Sequence, residues 1–171
     1  MELFASPMAC SLASHITALE AGLPVKVRFV KDHKTDDGGD YYEIAANGYV
    51  PALRLDDGTI LNEGASVLQY LADRKPEAGL APAWGSIERY QLIDIQNYLA
   101  KRLGDRETLV ASTFTVADAY LVTLLNWFAF VGCDLKKWPT IAAYHQRHLK
   151  RPSVAQAMSV EMAERQRRLA A

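Results

Sequence analysis

One of the two cysteines in this sequence stands where a turn gives way to a predicted helix. The stretch SPMACSLASHI (6–16) contains Cys10, and the other cysteine is Cys133. A sulfur at the start of a helix lies close to free backbone N–H groups and to the positive end of the helix dipole, and both lower a thiol pKa from about 8.5. Cys10 is therefore a candidate thiolate, a hydrogen-bond partner for another molecule's thiolate, or an ordinary small core residue.

A second candidate is the stretch GYVPAL (48–53), in which a proline opens a predicted strand. Proline cannot donate to a sheet ladder, so Pro51 is either a trans proline at a sheet edge or the second residue of a cis peptide bond. A cis Val50–Pro51 bond would leave the Val50 backbone exposed. Val50 could then pair with an extended peptide ligand, as an added strand does.

A third candidate is NEGAS (62–66), at a predicted strand-to-helix junction. Free N–H groups at a helix N-terminus bind anions, and the Glu63 carboxylate beside them could accept a ligand ammonium. Together they could hold the charged end of an amino acid. The alternative is a plain N-cap with a glutamate in the first helical turn.

Other polar residues have structural interpretations. Thr115 and Asp118 have the spacing of a capping box that opens an apolar, central helix. His15 is interpreted as structural, and so are His145 and His148, because no carboxylate or cysteine is placed to complete a metal site. The charged run ERQRR (164–168) is predicted to be a solvated helix end.

The elements that must position these residues differ between the two halves of the chain. Periodicity predicts a helix through Leu12 and Leu19 that stops at Gly22, and a second helix from Glu63. The β-α-β order implies a parallel strand pair, and the turn signal DDG (56–58) implies a hairpin, so we expect a mixed four-stranded sheet. The predicted strands are ELFA (2–5), VKVRFV (25–30), VPALRL (50–55) and TILN (59–62).

The second half is predicted to be entirely helical. A Pro-, Gly- and Ala-rich linker, KPEAGLAPAWG (75–85), separates it from the first half. We therefore expect two domains, an α/β unit at 1–76 and an all-α unit at 84–171. The predicted helices of the second unit are 86–103, 115–131, 139–150 and 152–168.

Composition narrows the class of protein. The chain has 171 residues, 50% of them hydrophobic, with 19 Lys and Arg against 20 Asp and Glu. This balance gives no support to nucleic-acid binding. The N-terminus lacks the features of a signal peptide, and the longest apolar run (116–131) is too polar to span a membrane. With two cysteines far apart in sequence, we expect a reducing, cytoplasmic environment.

Six stretches, in order, resemble bacterial glutathione transferases of the cysteine-containing beta class. The resemblance covers nearly the whole chain, and six motifs in sequence are far more specific than one. The matching stretches are SPMACSLASHI, HKTDDGGDYY, NGYVPAL, LDDGTILNEGASVLQYLAD, ERYQLIDIQNYLA and FTVADAYL.

The resemblance implies a thioredoxin-like N-terminal domain, an all-helical C-terminal domain and a homodimer. It implies a transferase that uses glutathione as co-substrate, needs no metal, and adds the glutathione sulfur to small hydrophobic electrophiles. Cys10 could also exchange disulfides with glutathione, and the alternative is a glutathione-binding module with little catalysis. The implied glutathione contacts are Cys10 at the sulfur, Lys34 at the glycine carboxylate, Val50 before a cis Pro51 at the cysteinyl backbone, Glu63 and Gly64 at the γ-glutamyl end, and Asn97 from the helical domain.

The sequence also departs from this family. Ala5 stands where a tyrosine is frequent, and Met8 stands where a glycine is frequent, so Met8 is expected to add bulk beside the sulfur. A few dozen residues that the family has after about position 100 have no counterpart, including a histidine near the active site. Either this segment is deleted, which would remove part of the electrophile pocket and of the dimer surface, or the sequence omits residues of the natural protein.

Overall fold

The computed structural model describes residues 1–95, 107–110, 112–128, 135 and 138–170, with side chains through residue 92 in the first of these ranges. Its first half alternates strands and helices, as the sequence predicts. The elements are β1 (Glu2–Ala5), α1 (Ser11–Glu20), β2 (Lys26–Phe29), β3 (Ala52–Arg54), β4 (Ile60–Asn62) and α2 (Gly64–Asp73).

The second half is helical throughout the part that the structure describes. The helix that starts after the linker is described as far as Ile95, so the rest of the predicted 86–103 helix, including Asn97, lies outside the described residues. The helices are α3 (Ile87–Ile95), α4 (Val116–Trp127), α5 (Pro139–Leu149) and α6 (Pro152–Leu169). None of these helices has the length and apolar character needed to cross a bilayer.

The four strands form one mixed sheet in the order β2-β1-β3-β4. Strands β1 and β2 are parallel, whereas β3 runs antiparallel to both β1 and β4. The pairings Ala5–Phe29, Phe4–Ala52 and Ala52–Asn62 therefore fall at one edge of the sheet. The chain leaves β1, β2 and β4 and enters β3 at this same edge, so four loops meet there.

The largest apolar core joins the two halves of the chain. Leu12 and Ile16 on α1 pack in one buried cluster with Val122 and Leu125 of α4. Helix α1 is buried along nearly its whole length because it lies between the sheet and the helical half. Alternate side chains of the strands belong to two smaller apolar clusters, because successive residues of a strand face opposite sides of the sheet.

The predicted capping box at α4 is confirmed, and Asp118 does more than cap the helix. Its buried carboxylate accepts hydrogen bonds from the Thr115 backbone N–H and hydroxyl, both at 2.8 Å. It also accepts from the Leu109 N–H at 2.8 Å and from the Tyr144 hydroxyl at 2.7 Å. Asp118 thereby ties the segment before α4 and helix α5 to the start of α4.

The two histidines of α5 have separate hydrogen-bond partners. His145 Nε2 lies 2.8 Å from Asn126 Oδ1, and His148 Nε2 lies 2.9 Å from the Glu107 carbonyl oxygen. Burial lowers the pKa of both imidazoles, so they are neutral at pH 7. Across the described ranges, no three His, Cys, Asp or Glu side chains come together in a way that could hold a metal ion.

A buried polar network holds the loop before α1 against the helical half. The Glu161 carboxylate of α6 accepts from the Met8 N–H at 2.7 Å and lies 3.1 Å from His15 Nδ1. Trp127 Nε1 donates to the Met8 carbonyl at 2.8 Å. His15 is therefore part of the packing between the halves, in agreement with its structural interpretation.

Candidate active site

The predicted site residues lie along the sheet edge where the four loops meet. Going across the sheet, the loop after β2 carries Lys34, the loop after β1 carries Cys10, the residue pair Val50–Pro51 precedes β3, and Glu63 follows β4. Adjacent strands are separated by about 4.8 Å, so the row from β2 to β4 is about 14 Å long. This length suits a short extended peptide.

Cys10 is the N-cap residue of α1 and is half-buried. Its Sγ donates a hydrogen bond to the Val50 carbonyl at 3.0 Å. Burial raises the pKa of the thiol above its ordinary value, and the Glu63 carboxylate raises it further. The backbone N–H groups of Cys10 and Ser11 lower the pKa, as the helix start predicts, but they do not outweigh burial.

Of the readings that the sequence leaves open for Cys10, this environment favours a hydrogen-bond partner over a thiolate. The physical reason is desolvation, which disfavours the charged form of a group that is taken out of water. At neutral pH, Cys10 is a thiol whose proton points at the Val50 carbonyl oxygen.

Val50 and Pro51 form the middle of the row. The peptide bond between them is cis, as the resemblance implies. Within the described residues, no hydrogen bond uses the half-buried Val50 N–H, so this donor is free for a ligand. The Tyr41 hydroxyl donates to the Tyr49 carbonyl at 2.7 Å and holds the preceding turn. Burial raises the pKa of Tyr41 to about 12, so it stays a donor.

Glu63 and Gly64 occupy the far end of the row. Glu63 is itself the N-cap of α2, makes no side-chain cap, and has an exposed side chain. Its φ of 74° lies in the left-handed region, which is strained for a residue with a side chain. A Cβ atom on Gly64 would lie 3.8 Å from Pro51 Cδ, so the start of α2 packs on the proline ring. Glu63 is therefore the N-cap residue itself, so the alternative of a plain N-cap followed by a glutamate in the first helical turn does not apply.

Lys34 lies at the other end of the row, and its side chain is exposed. Backbone bridges to Lys31 and Asp40 fix the loop that carries it. Lys34 lines a cleft between this loop and helix α6. Asn97, the remaining predicted contact, lies outside the described residues.

The bulk of the Met8 side chain is packed into the protein core. Its side chain is only 8% exposed and belongs to the core that the two halves share. Its φ of 62° lies in the left-handed region, which a glycine adopts without strain. This conformation is a physical reason for the glycine that the family often has here.

Two features of the site were not predicted from the sequence. Tyr41 braces the turn before Val50, and no local pattern marks it. The run ERQRR is only partly a solvated helix end, because Glu164 is largely buried and Arg168 donates to the Val30 carbonyl at 2.9 Å. Val30 and Arg168 are 138 residues apart in the sequence, so the helical pattern around Arg168 does not predict this hydrogen bond.

Comparison with known proteins agrees with this architecture. Residues 7–74 match the family model for the glutathione S-transferase N-terminal domain, and residues 86–152 match the model for the C-terminal domain. The glutathione S-transferase GstA of Escherichia coli O157:H7 is 37% identical over 94% of this chain and 98% of its own length.

Solved structures with the same fold include a sphingomonad glutathione S-transferase in complex with glutathione. It is 35% identical, with a TM-score of 0.88 over 94% of this chain and 98% of its own. A ternary complex of BphK, a bacterial member, is 36% identical, with a TM-score of 0.90 over 94% and 99% of the two chains. The beta-class enzyme of Sphingomonas chungbukensis is 37% identical, with a TM-score of 0.89 over 94% and 98%.

The alignment with GstA extends over 199 positions, although this chain has 171 residues. The relative therefore carries residues without a counterpart here, in agreement with the shortfall that the sequence motifs indicate. The two family models nevertheless match residues 7–74 and 86–152, and the similarity to GstA extends over 94% of the chain. The chain belongs to the glutathione S-transferase family.

Proposed function

We propose that this protein transfers glutathione to small hydrophobic electrophiles. The observation that carries the proposal is the row of Lys34, Cys10, Val50 and Glu63 along one sheet edge, with a Val50 N–H at its centre that makes no hydrogen bond to any described residue. The proposal assigns glutathione binding to residues 1–76 and the electrophile side to the helical unit at 84–171. A small apolar electrophile suits a pocket walled by helices.

Each part of glutathione has a chemical complement in this row. The Glu63 carboxylate accepts from the γ-glutamyl ammonium, while backbone N–H groups at Gly64 and the start of α2 hold its carboxylate. The Val50 N–H donates to the cysteinyl carbonyl, as in strand addition next to Pro51. Lys34 pairs with the glycine carboxylate. Asn97 is proposed to reach the ligand from the helical unit.

In this arrangement the glutathione sulfur lies next to Cys10 and the start of α1. The free N–H groups there, together with the Cys10 thiol as donor, stabilise the glutathione thiolate. The thiolate attacks the electrophilic carbon, a C–S bond forms, and the leaving group departs with its electron pair. For this, the Cys10 proton turns from the Val50 carbonyl to the bound sulfur.

Thiol–disulfide exchange through Cys10 is the competing chemistry. It requires the Cys10 thiolate to attack a glutathione disulfide, so that the second glutathione leaves as a thiolate. The hydrogen bond from the Cys10 thiol to the Val50 carbonyl keeps the proton on sulfur, and burial raises the thiol pKa in the same sense, so conjugation is favoured over exchange.

The variant Cys10→Ala separates these two activities. We expect conjugation of a chlorodinitrobenzene to persist within about tenfold, because only one donor to the bound thiolate is lost. Glutathione-dependent disulfide reduction should disappear. Initial rates at pH 7.5 measure both activities. If Cys10→Ala loses conjugation completely while its fold is intact, the proposal is contradicted. If the parent protein binds glutathione but does not conjugate it, the alternative of a glutathione-binding module is favoured.

We further propose that the protein is a cytoplasmic homodimer. Trp84, Ile87 and Tyr90 are each more than half exposed, and these apolar side chains near the linker and on α3 suit contact with a second copy. The free thiol of Cys10 fits a reducing compartment. Analytical ultracentrifugation measures the mass in solution, and a mass of 19.0 kDa, that of a single chain, would rule out the dimer.

A further inference from the structure

A charged cleft continues the row of site residues beyond strand β2. It has a volume of about 590 Å³ and separates the loop after β2 from helix α6. We name it the basic cleft. Its charged lining includes Lys31, Asp32, Lys34, Glu164, Arg167 and Arg168.

The lining of the basic cleft has a small excess of positive charge, because it sets four cations, Lys31, Lys34, Arg167 and Arg168, against three carboxylates, Asp32, Asp36 and Glu164. Within the described residues, neither Lys31 nor Lys34 lies in an ion pair. Glu164 is already shared by Arg167 at 2.7 Å and Arg168 at 2.9 Å. A further lining carboxylate, Asp36, is paired with Arg28.

The wall that α6 provides is held firmly in place. Arg168 donates to the Val30 carbonyl at 2.9 Å, and its guanidinium lies 5.8 Å from the centre of the Phe29 ring. Val30 is in turn paired with β1 through the Ala5 carbonyl. The opening beside Lys34 is therefore built by packed elements and is not a gap between two loose loops.

The length of the row shows what reaches this cleft. A peptide of three residues spans at most about 11 Å, whereas the row from β4 to β2 is about 14 Å long. The γ-glutamyl linkage adds two carbon–carbon bonds to the length of an α-linked tripeptide, so glutathione anchored at Glu63 ends near Lys34 and leaves the rest of the basic cleft unfilled. The cleft is also many times larger than a carboxylate group.

We propose that the basic cleft receives an anionic group attached beyond the glycine end of the bound thiol peptide. The protein then accepts glutathione-like peptides that are extended at the carboxyl end by an acidic residue. The inference rests on the proposed function, since it takes the orientation of glutathione in the row from that proposal.

The test compares three S-methylated peptides by calorimetry with the full-length protein at low salt: γ-Glu-Cys-Gly, γ-Glu-Cys-Gly-Asp and γ-Glu-Cys-Gly-Lys. We expect the Asp-extended peptide to bind about fivefold more tightly than the Lys-extended peptide, the size expected for one or two exposed ion pairs. The preference should shrink in 0.5 M salt because exposed charges are screened. Lys31→Ala should reduce the preference at least twofold, whereas Lys150→Ala, a control at the exposed C-cap residue of α5, should leave it unchanged.

The outcomes separate this inference from the proposed function. Two results would contradict this inference and leave the proposed function intact. One is equal binding of the two extended peptides, and the other is loss of binding on any extension while γ-Glu-Cys-Gly still binds. If none of the three peptides binds, the proposed function fails and the inference fails with it.

Discussion

At the scale of single residues, Cys10 shows how neighbours decide the state of a group. Two backbone N–H groups lower its pKa, but burial against the segment at Val50 raises it more, and the Glu63 charge adds to the rise. The sequence predicts the position of Cys10 at the helix start. It does not predict the burial, because Val50, whose carbonyl Cys10 contacts, lies 40 positions further along the chain.

Glu63 allows a direct test of the γ-glutamyl end. Replacing it by glutamine keeps the shape of the side chain and removes its charge, so a charge-assisted hydrogen bond to the ligand ammonium is weakened. Such bonds contribute about 1.5–3 kcal/mol, and we expect glutathione to bind at least tenfold more weakly. Calorimetric titration measures the change.

The same variant has a second readout. Removing the Glu63 charge should lower the pKa of Cys10, so alkylation by iodoacetamide at pH 8 should become faster. Glu77→Gln, an exposed glutamate on the linker side, is the matched control and should change neither quantity. If Glu63→Gln binds glutathione as tightly as the parent protein, the assigned orientation of the ligand is incorrect.

At the scale of elements, the sequence predicted most of the fold. The strand segment ELFA, the alternation in VKVRFV, the DDG turn and the helical spacing after Glu63 all correspond to the observed strands and helices. These signals are local, so one sequence can reveal them. The contact between α6 and Val30 could not be predicted in this way, because it depends on how the helical half packs against the sheet.

The start of α4 illustrates the limit of a local signal. A lost N-cap costs typically about 1 kcal/mol, which is all that the Thr115–Asp118 spacing predicts. In the structure, Asp118 accepts hydrogen bonds from four donors, two of them outside the capping box. Its contribution to stability therefore exceeds that of a cap.

We expect Asp118→Ala to lower the free energy of unfolding by about 3–5 kcal/mol, because it leaves four buried donors without an acceptor. Tyr144→Phe removes only one of these donors and should cost about 1 kcal/mol. Urea denaturation followed by circular dichroism measures both. A loss below about 1 kcal/mol for Asp118→Ala would show that the buried network matters little.

At the scale of the whole molecule, the two halves behave as one packed unit around α1. The sequence separates an α/β half from a helical half, and the linker between them follows from composition. It does not show that Glu161 would hold both His15 and the Met8 backbone, since these groups are about 150 residues apart along the chain. The loop that leads to Cys10 is thus positioned by the helical half.

The central claim is that four segments at one sheet edge form the glutathione site. A crystal structure with S-methylglutathione tests it most directly. We predict that the Val50 N–H donates to the cysteinyl carbonyl, that the γ-glutamyl ammonium lies within 3.5 Å of the Glu63 carboxylate, and that the glycine carboxylate points toward Lys34 (about 3 Å is the usual donor–acceptor distance). A ligand bound away from Val50, or one with its γ-glutamyl end at Lys34, would contradict the account.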